Sequence, residues 1–129
     1  MTGVQTCALP IYPDVGGTGV TSNGFNLIGN RGTLTFAAVG DQAGGGGNPI
    51  LNPLLGPLQN NGGTTLTHTL LGGSPALDKG NSSGAPSDQR GLRRPIDLAD
   101  ISNAVGGDGG DIGAVEMFVD SIFANGFEN

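Results

Sequence analysis

The sequence predicts an all-β, loop-rich fold built from short strands, and three observations predict it. Gly contributes 26 and Pro 8 of the 129 residues, a share that resists helix. Leu, Ile, Val and Phe together number 32, enough to build a core. These apolar residues come in short stretches, several with period-two alternation, divided by Gly, Asn, Pro and Asp. A helical bundle would need Ala, Glu, Lys and Leu at helical period, and the chain has one Lys.

Residues 1–11, MTGVQTCALPI, resemble translated sequencing-adapter read-through and are read as non-native. Cys7 lies inside them, with no His nearby to activate its thiol. A β module is expected over 12–119. GFNLIG at 24–29 supplies Phe25, Leu27 and Ile28. TLTFAAV at 33–39 alternates strictly, Leu34 and Phe36 against Thr33 and Thr35, which reads as a strand. GDQAGGGGNP at 40–49 is a loop, because consecutive glycines carry too much backbone entropy for a regular element.

PILNPLLGPLQNNGG at 49–63 spaces its leucines like a helix, but Pro49, Pro53 and Pro57 remove donors and force extended neighbours. An irregular apolar wrap follows. TTLTHTLL at 64–71 is the best strand candidate, with Leu66, His68 and Leu70 on one face and Thr65, Thr67 and Thr69 on the other. SPALD at 74–78 is a short apolar bead, 81–88 a loop, and DIGAVEMFV at 111–119 the last strand candidate. The expected interior is Phe25, Leu27, Ile28, Leu34, Phe36, Leu66, Leu70, Leu77, Ile112 and Val115. Short strands, close turn signals, scarce aromatics and abundant Asn and Thr together are what a β-solenoid demands.

The formal net charge of −6, with five scattered basic residues, excludes a cationic stripe for nucleic acid. No apolar run reaches transmembrane length, and no secretory leader is visible, which reads as a fragment lacking its true N-terminus.

NGFNLIGN at 23–30, NPLLGPLQNNGGTTLTHTLLGGSPALDKGN at 52–81, DQRG at 88–91 and DIGAVE at 111–116 follow one another in this order. Together they resemble the C-terminal module of bacterial right-handed parallel β-helix surface proteins. That module is the choice-of-anchor domain of Q type, found in CSLREA-type architectures. Thr64 and Val115 depart from its usual Pro and aromatic residue, and 95–110 looks like an insertion. The resemblance implies the C-terminal turns and cap of a right-handed parallel β-helix. It implies an extracellular or outer-membrane-associated location, with preceding β-helix turns as the partner. It carries over no catalytic residues. DSIFANGFEN at 120–129 is similar to an IF-x-x-GFE terminal tail of exported proteobacterial proteins. This implies a sorting or attachment signal at Ile122, Phe123, Gly126, Phe127 and Glu128, read by export or attachment machinery.

The chemistry visible in the sequence is thin. His68 is the only His, so a nucleophilic triad would have to join it to Ser74 or Ser82. Its place between Leu66 and Leu70 favours a structural His. GGDGGDIGA at 106–114 approximates one calcium-binding β-roll repeat, making Asp108 and Asp111 the candidate ligands. Gly113 stands where that repeat needs a large apolar residue, and one copy cannot complete a shell, so no cofactor is expected. Arg90 is read as structural, forking to Asp78, Asp88 or Asp111. The expected function is therefore a non-catalytic, adhesin- or stalk-like part of a surface protein. The alternatives are a fragment of a polysaccharide lyase or hydrolase, and a calcium-stabilised binding module.

Overall fold

The apolar pair of GFNLIG and the polar GDQAGG segment lie side by side in the computed structural model, which describes residues 12–118. Strand β1 (Leu27–Ile28) pairs in parallel with β2 (Gln42–Ala43), Leu27 opposite Gln42 and Ile28 opposite Ala43. Parallel neighbours need a long crossover, usually helical, because the chain must return to the same end. Here residues 29–41 return without a helix.

This register puts Asn26 beside Asp41. Asp41 Oδ1 accepts the Asn26 backbone N–H at 3.1 Å and the Asn26 side-chain amide at 2.9 Å, and Oδ2 accepts the Ala38 N–H at 3.0 Å. The Asn26–Asp41 rung therefore pins the pair where the ladder is only two residues long. Beyond β2 a third segment closes in, and Gly44 is what admits it. A Cβ at Gly44 would lie 2.5 Å from each of the Gly29 oxygen, the Pro49 oxygen and the Leu51 nitrogen.

The strand expected at 64–71 is instead the return arm of an antiparallel ribbon. Gln59 and Thr67 exchange backbone bonds at 3.1 and 3.0 Å, Gly56 N–H donates to Thr69 at 2.8 Å, and Leu71 N–H donates to Leu54 at 2.9 Å. The opposite arm carries Pro53 and Pro57, which have no N–H, so the ladder is broken into isolated bridges.

The face assignment within this arm is also corrected. Thr67 is 4% exposed and Leu70 8%, whereas Leu66 is 56% exposed. Thr67 is turned inward because the Asn61 side-chain amide donates to both its carbonyl and its hydroxyl oxygen, at 2.8 and 3.1 Å. Residues 33–39 keep their expected side-chain alternation, with Leu34 and Phe36 half-buried and Thr33 and Thr35 exposed, but they form no strand. Residues 111–118 likewise contain no strand.

Leu70, Ala76 and Leu77 form the buried core, with Leu27, Leu98, Ile101, Ile112 and Met117 packed against them. Val115 is buried as well, at 4% exposed, while Phe25, Ile28 and Ile112 are half-buried. The segment 95–110, which looks inserted, covers this core through Leu98 and Ile101.

Candidate functional site

Four acidic side chains are sunk into the half of the chain that carries the DQRG and DIGAVE motifs: Asp78, Asp88, Asp111 and Glu116 are 0%, 7%, 0% and 1% exposed. Burying a carboxylate costs several kcal/mol unless it is paired and hydrogen-bonded. The structure meets that cost mainly with backbone N–H groups, joined by the Arg90 and Arg94 guanidiniums.

Asp88 caps its own turn. Its Oδ1 accepts the Arg90 and Leu92 N–H groups at 2.8 and 3.2 Å. Its Oδ2 accepts the Glu116 N–H at 3.1 Å and Arg90 Nε and Nη2 at 3.0 and 2.6 Å. Arg90 Nη2 also donates to the Glu116 carbonyl at 2.6 Å, and its guanidinium sits 5.5 Å from the centre of the Phe118 ring. Arg90 and Asp88 thus clamp the chain at 116–118 from both sides.

Asp111 Oδ1 accepts the Asp78 N–H at 2.8 Å and Oδ2 accepts the Met117 N–H at 2.6 Å. Glu116 Oε1 accepts the Asp111 N–H at 3.0 Å and Oε2 accepts the Ile96 N–H at 2.8 Å. The Asp78 carboxylate receives the Leu98 N–H. Arg94 donates to the Gly113 and Asp111 carbonyls, both at 2.6 Å, and its Nε lies 3.2 Å from Glu116 Oε1 in an ion pair. Of the partners expected for Arg90, then, Asp88 takes the role. Asp78 and Asp111 hold backbone instead.

The electrostatics divide the group. Burial pushes the Asp78, Asp111 and Glu116 carboxyls above their ordinary values, and their backbone bonds offset this only in part. Burial also acts on Asp88, but the Arg90 guanidinium and three backbone N–H groups outweigh it and hold that carboxyl low.

Close packing completes the site. A Cβ at Gly80 would lie 2.6 Å from the Asp111 carbonyl oxygen, so only Gly lets the two segments touch. Glu116 and Arg94 were not singled out in the sequence as partners. The available signal was the acid that ends DIGAVE directly after an apolar residue, where the chain has no reason to turn outward.

The other candidate residues are placed as follows. Asp108 accepts the Ser82 N–H, the Ser82 hydroxyl and, at 3.1 Å, the Gly110 N–H. Like those of Asp111, its oxygens face positively polarised donors. Among the described residues no group of His, Cys, Asp and Glu is arranged to hold a metal ion. His68 Nδ1 donates to the Gly56 carbonyl at 2.7 Å, and Ser74 Oγ donates to the Pro53 carbonyl at 2.6 Å. Their bonds run to backbone and not to each other.

An apolar groove of about 450 Å³ lies between Leu55, Leu58 and Leu66 on the ribbon and Ile112 and Val115 on the far side, with no Asp, Glu, Lys or Arg in its lining. Cys7 and the tail residues Ile122, Phe123, Gly126, Phe127 and Glu128 lie outside the described residues. Among the described residues no helix is long and apolar enough to cross a membrane. In comparisons with protein-family models, curated proteins and solved structures, the chain matches none.

Proposed function

We propose that the chain is the structural, non-catalytic C-terminal part of a secreted or surface-displayed bacterial β-helix protein, closing the solenoid and holding it to its terminal tail. The observation that supports this most is the use made of ionisable groups. Asp78, Asp88, Asp111, Glu116, Arg90 and Arg94 all bind backbone, at residue 78, at 96–98 and at 111–116. Catalytic acids and bases instead face a cleft, with reach to a reacting atom. The parallel β1–β2 pair with its non-helical crossover is compatible with one solenoid turn.

The test is localisation and activity in the bacterial host. The reading expects an epitope placed in the exposed 60–64 loop to be reached by antibody on intact cells. It also expects the purified protein to leave uronate and neutral polysaccharides uncut. Retention inside the cell overturns the surface assignment. Turnover of any of those glycans overturns the structural one in favour of a β-helix lyase or hydrolase.

A further inference from the structure

The bonds that cross between residues 76–98 and 110–117 are mutual. From the first segment, the Asp78, Gly80, Gln89 and Ile96 N–H groups are satisfied, among the described residues, by the second: Asp111 Oδ1, the Gly110 carbonyl, the Ala114 carbonyl and Glu116 Oε2, at 2.8, 2.7, 2.9 and 2.8 Å. Arg90 and Arg94 add three bonds to the Glu116, Gly113 and Asp111 carbonyls. In return, the Ile112 and Glu116 N–H groups are satisfied by the Ala76 carbonyl at 2.9 Å and Asp88 at 3.1 Å.

The second segment is also braced internally, through the Asp111 and Glu116 carboxylates that bind the Met117 and Asp111 N–H groups. A buried donor or acceptor stripped of its partner is costly, and here stripping one side strips the other. Release of one segment therefore leaves unpaired groups on both.

We propose that residues 110–117 are a strap on which residues 76–98 depend, the two opening and closing as one unit distinct from the β1–β2 coil. The coil has its own backbone closure, through Asn26, Asp41 and bonds such as Gln42 N–H to Asn26 and Gly44 N–H to Ile28. It meets the unit through the Gln42 side chain at the Pro75 carbonyl and through Leu27 against the core cluster that holds Ala76 and Leu77. A chain that emerges N-terminus first can then form the coil early. It leaves 76–98 open until residues 110–117 arrive, which makes strap docking a late event in the folding of this module. This inference rests on the bonding pattern alone and does not require the surface-protein reading.

The experiment is residue-resolved native-state hydrogen exchange on the full chain, comparing the parent with Glu116→Gln. The substitution weakens the strap at the Asp111 and Ile96 N–H groups and removes the Arg94 ion pair, and it touches no bond of the Asp78, Gly80 or Gln89 N–H groups. The expected result is faster exchange at Asp78, Gly80 and Gln89, which do not bond to Glu116, by the same factor as at Ile96, on the order of tenfold or more. Gln42 and Gly44 keep their parent rates. Acceleration confined to Ile96 and Asp111 overturns the proposal, because the two segments then open independently. Equal acceleration that includes Gln42 and Gly44 also overturns it, because the opening is then global.

Should Glu116→Gln fail to fold, exchange of the parent chain in rising sub-denaturing urea reads the same property. The Asp78, Gln89, Ile96 and Met117 amides must merge onto one opening curve that Gln42 does not join. Separate curves for 76–98 and 110–117 reject the strap.

Discussion

Arg90 shows how much one side chain can hold in this fold. Its side chain is 8% exposed and that of Asp88 0%, so the pair is desolvated, and removing the cation leaves a buried carboxylate with backbone donors alone. Arg90→Ala is expected to cost about 3–5 kcal/mol by urea unfolding. A loss under about 1 kcal/mol would mean the pair behaves like a screened surface bridge. Arg90→Lys should recover only a small part, since one ammonium cannot serve both Asp88 and the Glu116 carbonyl as the guanidinium does.

Asp78 poses the opposite case. Both its oxygens meet the same Leu98 N–H, and its backbone lies at φ 54°, a left-handed conformation that Asn tolerates well. Asp78→Asn keeps an acceptor for Leu98 and is expected to change stability at pH 7 by less than about 1 kcal/mol. Asp78→Ala loses the acceptor, adds backbone strain and should cost about 2–4 kcal/mol. Equal losses for the two variants would show that the carboxylate charge, and not the acceptor, matters.

At the scale of elements, the antiparallel ribbon decides which apolar side chains are interior. Leu70 and Leu66 have the same chemistry and sit four residues apart, but only Leu70 belongs to the core cluster. Leu70→Ala is expected to cost about 2–5 kcal/mol and Leu66→Ala under about 1 kcal/mol, read from the urea midpoint. Comparable losses would place Leu66 in the interior after all. The ribbon is short for a definite reason: prolines on one arm deny the ladder its donors, and the Asn61 side-chain amide adds two bonds at the Gln59–Thr67 bridge that remains. Side chains likewise reinforce a short ladder at Asn26–Asp41.

For the whole molecule, stability should be highest in mildly acidic solution. Asp78, Asp111 and Glu116 have folded values raised above the ordinary 3.8 for Asp and 4.5 for Glu, so in that window the folded state binds more protons than the unfolded. Their contribution is full below the ordinary values and is lost as pH rises through the raised ones. Asp41, Asp88 and Asp108 are lowered, with hydrogen bonds outweighing burial at each. Their contribution is present above 3.8 and is lost as pH falls through the lowered values. Urea midpoints at about pH 3, 4.5 and 7 should therefore peak at the middle value. A midpoint that climbs steadily from about 4.5 to 7 would show the raised group to be outweighed.

What the sequence determined by itself was composition-level and local. Gly, Pro and the single Lys exclude a helical bundle, and no helix is present over residues 12–118. The alternation of 33–39 correctly orders inside and outside, because a side chain's direction follows from an extended backbone whether or not a neighbour bonds to it. The tertiary structure alone decided the pairing. Period two cannot distinguish a strand in a parallel coil from an arm of a ribbon, so Leu66 and Thr67 exchanged their expected roles. Nor could acidic residues at positions 78, 88, 111 and 116 be assigned from spacing to the donors at 78, 96, 98, 111, 116 and 117. Those partners are backbone groups, identical in every residue but Pro, and only the path of the chain brings a particular one within reach.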